Sequence, residues 1–411
     1  MSRLLVSISI VAATLCAPLA HADDDPDTRM FSFSGFGTVG VVHSSEDNAD
    51  FTASNFKPDG AGFTDDWSLG VDSLLGAQLT ARFTPKLSAV VQVIAMQNYD
   101  GSYDPHVEWA NIKYQFTPDF SIRVGRTVLP SFLLTESREV GYTYPWVRPP
   151  WEVYLILPVT SSDGVDVTYR LHSGDFTNTI YANAGGRDTK SIDGSTTTAR
   201  HSWGLSYTVQ HGALTALITY QTTRLTIPGL NGLFNGFRQF GPQGIAIADR
   251  YDSDNKAYPS IAIGASYDPG QWFLMGEWSK SDHHSVLGKL DGWYVSGGYR
   301  FGDFTPYLTY AHAGADNLSD PGLTLSTLPP FLRGPAAGLN GALNSILSSK
   351  AVQDTVSIGA RWDFMDSFDL KLQFDHTNVG RGSTGTFGNT QPAFQRGDSA
   401  NMFSATIDFV F

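Results

Sequence analysis

Residues 403–411 read FSATIDFVF, and the order of apolar and polar residues in this stretch decides the fold class. Apolar residues alternate with Ser404, Thr406 and Asp408, and the last of them is Phe411. Because successive side chains of a β-strand point to opposite faces, we expect a strand with one apolar and one polar face. An apolar edge strand favours aggregation in water, whereas a closed barrel in lipid has no free edge. The stretch therefore indicates a membrane barrel.

The same alternation recurs along the chain and predicts further strands. Each alternating run is roughly ten residues long, which is what a tilted strand needs to cross the hydrocarbon layer. Aromatic residues gather near the ends of the runs, as expected of membrane–water interfaces. The clearest runs are 67–83, 110–116, 120–124, 165–171, 203–209, 214–220, 261–267, 293–301, 356–364 and 368–374.

The connections between the runs fall into two classes. Tight turns are expected at 84–86, 117–119, 173–175, 210–212, 268–270, 302–303 and 365–367. Longer polar loops are expected at 44–63, 98–105, 127–162, 186–200, 223–258, 280–291, 314–352 and 378–399. A soluble β-sandwich has no reason to segregate its loops by length. The pattern predicts an all-β, transmembrane antiparallel β-barrel of about 16 strands, with 14 and 18 left open.

The beginning of the chain is predicted to be a secretory signal peptide, residues 1–22. Arg3 supplies the positive charge, residues 4–15 form a short apolar run, and Ala20-His21-Ala22 fits a cleavage site. A lipoprotein is disfavoured, because bulky Leu15 precedes Cys16. We expect residues 23–411 to form a single barrel domain.

Composition limits the partners of this domain. Cys16 is the only cysteine of the chain, so neither a disulfide nor a thiolate metal site is expected after residue 22. The net charge of −13 disfavours nucleic acid as a partner. Acidity is compatible with an outer-membrane surface rich in lipopolysaccharide and divalent cations, and equally with solvated acidic loops.

The third long loop, 127–162, is unusually apolar and is expected to fold into the lumen of the barrel. Its aromatic and aliphatic residues need a surface to pack against, while its charged residues need partners or water, and a wide lumen provides both. Prolines stiffen the segment. The prolines are Pro130, Pro145, Pro149, Pro150 and Pro158, and the charged residues are Glu136, Arg138, Glu139, Arg148 and Glu152.

Several short motifs, in order, resemble the Gram-negative general diffusion porin family. They are GFG at 35–37, LGAQL at 75–79, EWANIKYQFTP at 108–118, VGR at 124–126 and the terminal Phe411. The resemblance implies an outer-membrane protein of a Gram-negative bacterium whose third loop narrows the pore and whose barrels associate as homotrimers. It also implies that Phe411 is read by the barrel assembly machinery. The loop departs from the family in reading GYTYPWVRPP at 141–150 instead of a Pro-Glu-Phe-Gly-Gly type core.

The alternation of side chains along each strand assigns the charged ones to the lumen, because a charge facing lipid costs several kcal/mol. The inward set is Arg82, Lys113, Arg123, Arg170, Arg300, Arg361 and Lys371 with Asp72, Asp166, Glu277, Asp363, Asp369, Asp375 and Asp408. We expect a basic ladder to oppose the loop glutamates and set up a transverse field. The predicted constriction residues are Arg82, Lys113, Arg123, Glu136, Glu139, Arg148 and Glu152. The alternative is that these charges pair with neighbours on adjacent strands.

Tyr142, Tyr144 and Trp146 are interpreted either as an aromatic lining along which sugars slide or as packing that holds the loop to the wall. The expected function is passive diffusion of small hydrophilic solutes and ions, with a weak cation preference suggested by acidity. A channel selective for a sugar or a small organic ion, and a receptor or adhesin barrel, remain alternatives.

No enzyme activity, metal or cofactor is expected. His283 and His284 lie near Asp282 and Glu277, but the chain has no catalytic Ser/His/Asp spacing and no H-E-x-x-H motif.

Overall fold

Sixteen long strands form one closed antiparallel sheet in the computed structural model, which describes residues 30–157 and 159–411. The predicted signal peptide and Pro158 lie outside these residues. The strands are β1 Phe31–Ser44, β2 Leu74–Arg82, β3 Leu87–Met96, β4 His106–Thr117, β5 Phe120–Val128, β6 Ser161–Ser173, β7 Phe176–Lys190, β8 Thr196–His211, β9 Leu214–Thr226, β10 Lys256–Tyr267, β11 Trp272–Asp282, β12 Lys289–Tyr299, β13 Phe304–Ala315, β14 Gln353–Met365, β15 Phe368–Val379 and β16 Ser399–Val410.

The last strand closes the barrel as predicted. β16 pairs with β15 on one side and with β1 on the other, where Val39 lies opposite Ile407. Phe411 extends this pairing, because its backbone N–H donates to the Gly35 carbonyl (3.0 Å) and its carbonyl accepts from the Gly35 N–H (2.9 Å). A Cβ at Gly35 would overlap the Phe411 ring, so this close approach requires glycine.

Alternation along β16 separates a polar interior from an apolar exterior. Ser404 and Asp408 are fully buried, whereas Phe403 and Ile407 are 39% and 42% exposed. This distribution, the reverse of that in a soluble protein, places the apolar face where lipid would cover it. The seven tight turns fall where the sequence predicts them and alternate with eight other connections in the predicted order, which confirms the 16-strand barrel.

The second strand is not continuous, and here the prediction of one run over 67–83 is wrong. Residues 67–68 pair with β1, but β2 resumes only at Leu74, so residues 69–73 lie opposite residues 39–41 of β1. This β-bulge turns both Val71 and Asp72 inward, although alternation assigns Val71 to the lipid face. The bulge thus brings a carboxylate into the interior beside a buried apolar side chain.

Two other loops differ from the prediction. The segment 186–200 is mostly strand, because β7 and β8 extend to residues 190 and 196 and leave only 191–195 as a turn. The third loop is 129–160, since the ends of its predicted range belong to β5 and β6; it contains the short helix α1, Trp151–Tyr154.

The loops after β9 and β13 contain helices. The sequence analysis did not predict them, because it treated these segments as polar loops. These are α2 Asn231–Arg238, α3 Gly241–Tyr251 and α4 Pro330–Ser348. They pack around Phe234, Phe237, Leu343 and Leu347, with Val286 from a third loop, and we call this unit the helical cap. Among the described residues, no helix is long and apolar enough to cross a bilayer.

Candidate pore constriction

The third loop, residues 129–160, crosses the barrel interior and bonds to the inward faces of distant strands. Its Trp146 is 1% exposed and donates through Nε1 to Ser296 Oγ (2.8 Å) and Thr309 Oγ1 (3.0 Å) on β12 and β13. On β11, Glu277 accepts from the Tyr154 hydroxyl at 2.8 Å. The apolar residues of the loop therefore pack on the wall opposite β5 and β6, from which the loop departs.

Two wall cations hold the tip of the loop. Lys371 Nζ donates to the Gly141 carbonyl (2.6 Å) and Arg361 Nη1 to the Tyr142 carbonyl (2.6 Å). The same cations lie over aromatic rings, with Arg361 at 4.7 Å from the Tyr142 centroid and Lys371 at 4.9 Å from that of Tyr144. A Cβ at Gly141 would overlap Asp408, so the tip approaches the wall more closely than another residue permits.

Arg148 holds the middle of the loop through a buried ion pair. Its guanidinium donates to both oxygens of Asp72, at 2.8 and 2.6 Å, and to Ser404 Oγ at 2.7 Å. Asp375 lies 3.5 Å from the same group. Asp72 lies in the β-bulge after residue 68. The bulge therefore supplies the carboxylate to which Arg148 of the inward loop is bonded.

The predicted row of wall cations facing loop glutamates is not assembled as one row. Arg123 Nε donates to both carboxylate oxygens of Asp166 on the adjacent strand (2.9 and 3.0 Å), and Arg123 Nη2 lies 4.0 Å from Glu136, which is 70% exposed. Lys113 is opposite Arg123 in the β4–β5 register. Arg82 lies near the tight-turn end of β2, opposite Ser88.

The remaining loop glutamates lie apart from those cations. Glu152 is buried on the far wall, where it accepts from Gln353 Nε2 at 2.7 Å and from the Thr355 hydroxyl. Glu139 lies 3.8 Å from Arg138, and burial raises the pKa of its carboxyl. The alternative interpretation, in which charged residues pair with their neighbours, therefore fits Arg123, Arg148 and Glu152 better than a row of wall cations facing a row of loop glutamates.

The aromatic residues of the loop mainly pack. Trp146 is buried against Tyr294, with ring centroids 5.7 Å apart, and Tyr144 is also buried. Tyr142 is half-buried under Arg361. These contacts favour the packing interpretation over a continuous lining for sugars.

Two adjoining cavities lie on the other side of the loop. An inner chamber of about 370 Å³ separates the loop from β1–β4 and β7, and an outer vestibule of about 610 Å³ lies beneath the long loops and the helical cap. Six residues line both cavities and form what we call the junction. They are Ser54, Phe56, Lys57, Trp151, Val159 and Arg187.

Sequence reasoning missed the charged residues of this passage. Lys57 stands in the first long loop, whose inward course the polar pattern does not reveal; its Nζ donates to the carbonyls of Gly70 (3.0 Å) and Val71 (2.7 Å). Arg187 was assigned to an outer loop. Counting by twos from Asn183, which is buried on β7, would have placed Arg187 inward.

The inner chamber contains buried polar atoms without a hydrogen-bond partner. Arg187 Nη2 is 3.5 Å from Glu108 Oε2, which leaves Arg187 Nη1 unpartnered. Gln97 Oε1 and His106 Nδ1, also in the chamber wall, are buried and unpartnered. Buried polar atoms without a partner are rare in proteins.

His283 has an environment unsuited to acid–base chemistry. His283 is buried, and its ring centroid lies 3.5 Å from that of Tyr258. Burial lowers the pKa of His283 to about 4. Within residues 30–157 and 159–411, no three His, Cys, Asp or Glu side chains come together as metal ligands.

Comparison with known proteins places this geometry in context. A sequence model described as Gram-negative porin matches residues 8–382. No curated protein sequence matches the chain.

Solved structures similar in fold include the following three. The anion-selective porin of Comamonas acidovorans is 14% identical, with 93% of this chain and 99% of that chain covered and a TM-score of 0.55. Salmonella typhi OmpF in complex with daunomycin is 13% identical, with 93% and 97% covered and a TM-score of 0.55. The trimer form of Vibrio cholerae OmpT is 10% identical, with 93% and 100% covered and a TM-score of 0.50.

Proposed function

Since this chain belongs to the Gram-negative porin family, we propose that residues 129–160 are the constriction of its pore. The protein is an outer-membrane channel for passive diffusion of small hydrophilic solutes and ions. In the proposed arrangement, solutes enter the outer vestibule, pass the junction, and cross the inner chamber between the loop and β1–β4.

One observation carries this proposal: the loop is tied to the barrel wall at several separate points. Trp146, Arg148 and the Gly141 carbonyl each bond to a different strand or strand pair. A segment bonded across the interior reduces the open cross-section on that side and leaves the passage along the opposite wall. Paired charges on the passage wall favour hydrated polar solutes over apolar ones.

The test is single-channel recording in a planar bilayer. Deleting residues 140–154 with a short Gly linker is expected to raise the conductance, since it removes the anchored part of the loop. The matched control shortens residues 231–250 of the helical cap, none of which lines either cavity. Equal conductance in the loop deletion and the wild type would remove the segment from the constriction.

We further propose a homotrimer in outer-membrane lipid and lipopolysaccharide, delivered by the barrel assembly machinery after removal of residues 1–22. Support for the trimer comes from the family and from the trimer form of a protein with the same fold. Chemical cross-linking in outer-membrane vesicles should yield a species three times the monomer mass. A monomer alone would contradict the trimer without affecting the channel.

We propose no catalytic role for the barrel. The surroundings of His283 support this, because a buried imidazole with a pKa of about 4 stays neutral at physiological pH and has no bonded acid or nucleophile. His283→Ala is expected to leave conductance unchanged.

A further inference from the structure

We propose that the junction selects small organic anions with a flat apolar body, such as aromatic carboxylates. The inference rests on the proposed function, in which solutes pass this ring of residues. The junction contains two cations, Lys57 and Arg187, two aromatic residues, Phe56 and Trp151, and no carboxylate.

The charge of Lys57 is not neutralised by an ion pair. Its ammonium group is held by the carbonyls of Gly70 and Val71, and no Asp or Glu oxygen of the described chain lies within 4.0 Å of it. Backbone carbonyls fix the position of the ammonium group, and Asp72 and Glu139 partly offset its charge from beyond 4.0 Å. A cation presented in this way, in a partly desolvated passage, attracts an anion more strongly than an exposed lysine does.

Arg187 supplies a second, unfilled donor. One of its terminal nitrogens lies 3.5 Å from Glu108, while Nη1 is buried without a partner. A guanidinium matches the geometry of a carboxylate, so a solute carboxylate at the junction can accept from Arg187 when the side chain turns its buried Nη1 towards the passage.

The carboxylates that line the inner chamber are mostly engaged elsewhere. Asp72 is bonded to Arg148 (2.6 Å), and Asp188 lies 2.5 Å from Arg200. Glu108 accepts from Thr160 Oγ1 at 2.6 Å as well as facing Arg187, and Glu139, the fourth carboxylate of the lining, lies 3.8 Å from Arg138. The acidity of the whole chain, which suggests a cation preference, is therefore not reproduced at the junction.

The aromatic residues define the uncharged part of the solute. Phe56 and Trp151 are half-buried and line both cavities, and Arg138 lies over the Trp151 ring at 5.6 Å. Rings in such a passage favour offset or edge-on contact with a planar solute.

The inference is tested with benzoate, cyclohexanecarboxylate, benzyl alcohol and benzylammonium as probes on the full-length channel. In a planar bilayer, zero-current potentials across a salt gradient should show anion preference. Benzoate should reduce the KCl current at a lower concentration than any of the other three. A preference for cations would overturn the charge argument, and equal effects of benzoate and cyclohexanecarboxylate would overturn the aromatic argument.

Variants assign the effect to the junction. Lys57→Met and Arg187→Gln should each weaken the benzoate effect by about tenfold, the equivalent of one charge-assisted hydrogen bond. Lys86→Met removes the same charge from an exposed turn at the far end of the barrel and is the matched control. Lys57→Gln provides a second replacement if Lys57→Met does not insert.

The two levels of the proposal can fail separately. No ohmic conductance in the wild type would refute the channel itself. Normal conductance with an unaltered benzoate effect in the junction variants would refute only the selectivity.

Discussion

Arg148→Gln tests whether buried ion pairs hold the constriction loop in place. Arg148 bonds to both oxygens of Asp72 and to Ser404, and Asp375 is 3.5 Å away. Its side chain is only 11% exposed and that of Asp72 only 6%. Glutamine removes the cation and leaves two buried carboxylates without it. Breaking such a pair from one side costs about 3–5 kcal/mol.

The lost free energy should destabilise the bound position of the loop. It should not destabilise the barrel, whose strands keep their backbone hydrogen bonds. A loss of about 3 kcal/mol changes the equilibrium between seated and released loop by roughly a hundredfold. Amide hydrogen exchange of residues 142–154 should accelerate by up to that factor. In single-channel records the open current should become noisier and larger on average.

A double variant separates charge from packing. Adding Asp72→Asn to Arg148→Gln removes one of the two stranded carboxylates, so the double variant should be less perturbed than the sum of the two single variants. Unchanged exchange and noise in Arg148→Gln, or strictly additive effects, would refute the reasoning.

Three further predictions concern other parts of the molecule. Gly35→Val should block folding in detergent, measured by heat-modifiable gel mobility, since any Cβ there overlaps the Phe411 ring; Gly297→Val, on a strand where an added Cβ meets only ordinary contacts of 3.5 Å or more, is the control. Leu343→Ala should destabilise the helical cap by about 2–5 kcal/mol, seen as faster proteolysis of the cap at unchanged barrel stability. Anion preference should fall as pH rises. Burial raises the pKa of Glu139, so the decrease in anion preference caused by its deprotonation lies above the ordinary pH range of a glutamate. Burial lowers the pKa of Lys57, so the decrease caused by loss of its positive charge lies below the ordinary pH range of a lysine. Glu139→Gln should abolish the first and Lys57→Met the second, and persistence of either step would contradict the assignment.

The barrel could be predicted from the sequence because membrane strands obey one simple rule. The interior Ser404 and Asp408 and the exterior Phe403 and Ile407 follow strict alternation, and the tight turns carry local signals. Val71 escaped the rule because a bulge is a local exception that alternation alone does not reveal.

The constriction was less predictable, since its partners are remote in the chain. That the third loop is apolar and needs a wall to pack on follows from its composition. That Glu152 bonds to Thr355, and Arg148 to Asp72, depends on how the loop crosses the barrel, which no local pattern encodes. Helices α2–α4 were missed for a related reason: their apolar faces pack on one another across two loops.

The connections of the third loop have a consequence for the order of assembly. The loop leaves β5 early in the chain, yet Gly141 is bonded to Lys371, 230 residues later, and Arg148 to Ser404, 256 residues later. Contacts between such distant residues form late, because the intervening chain must first be ordered. The loop can therefore reach its final position only once β15 and β16 have been added. A pore narrowed by the loop is thus also a sign that the last strands are in place and the barrel is closed.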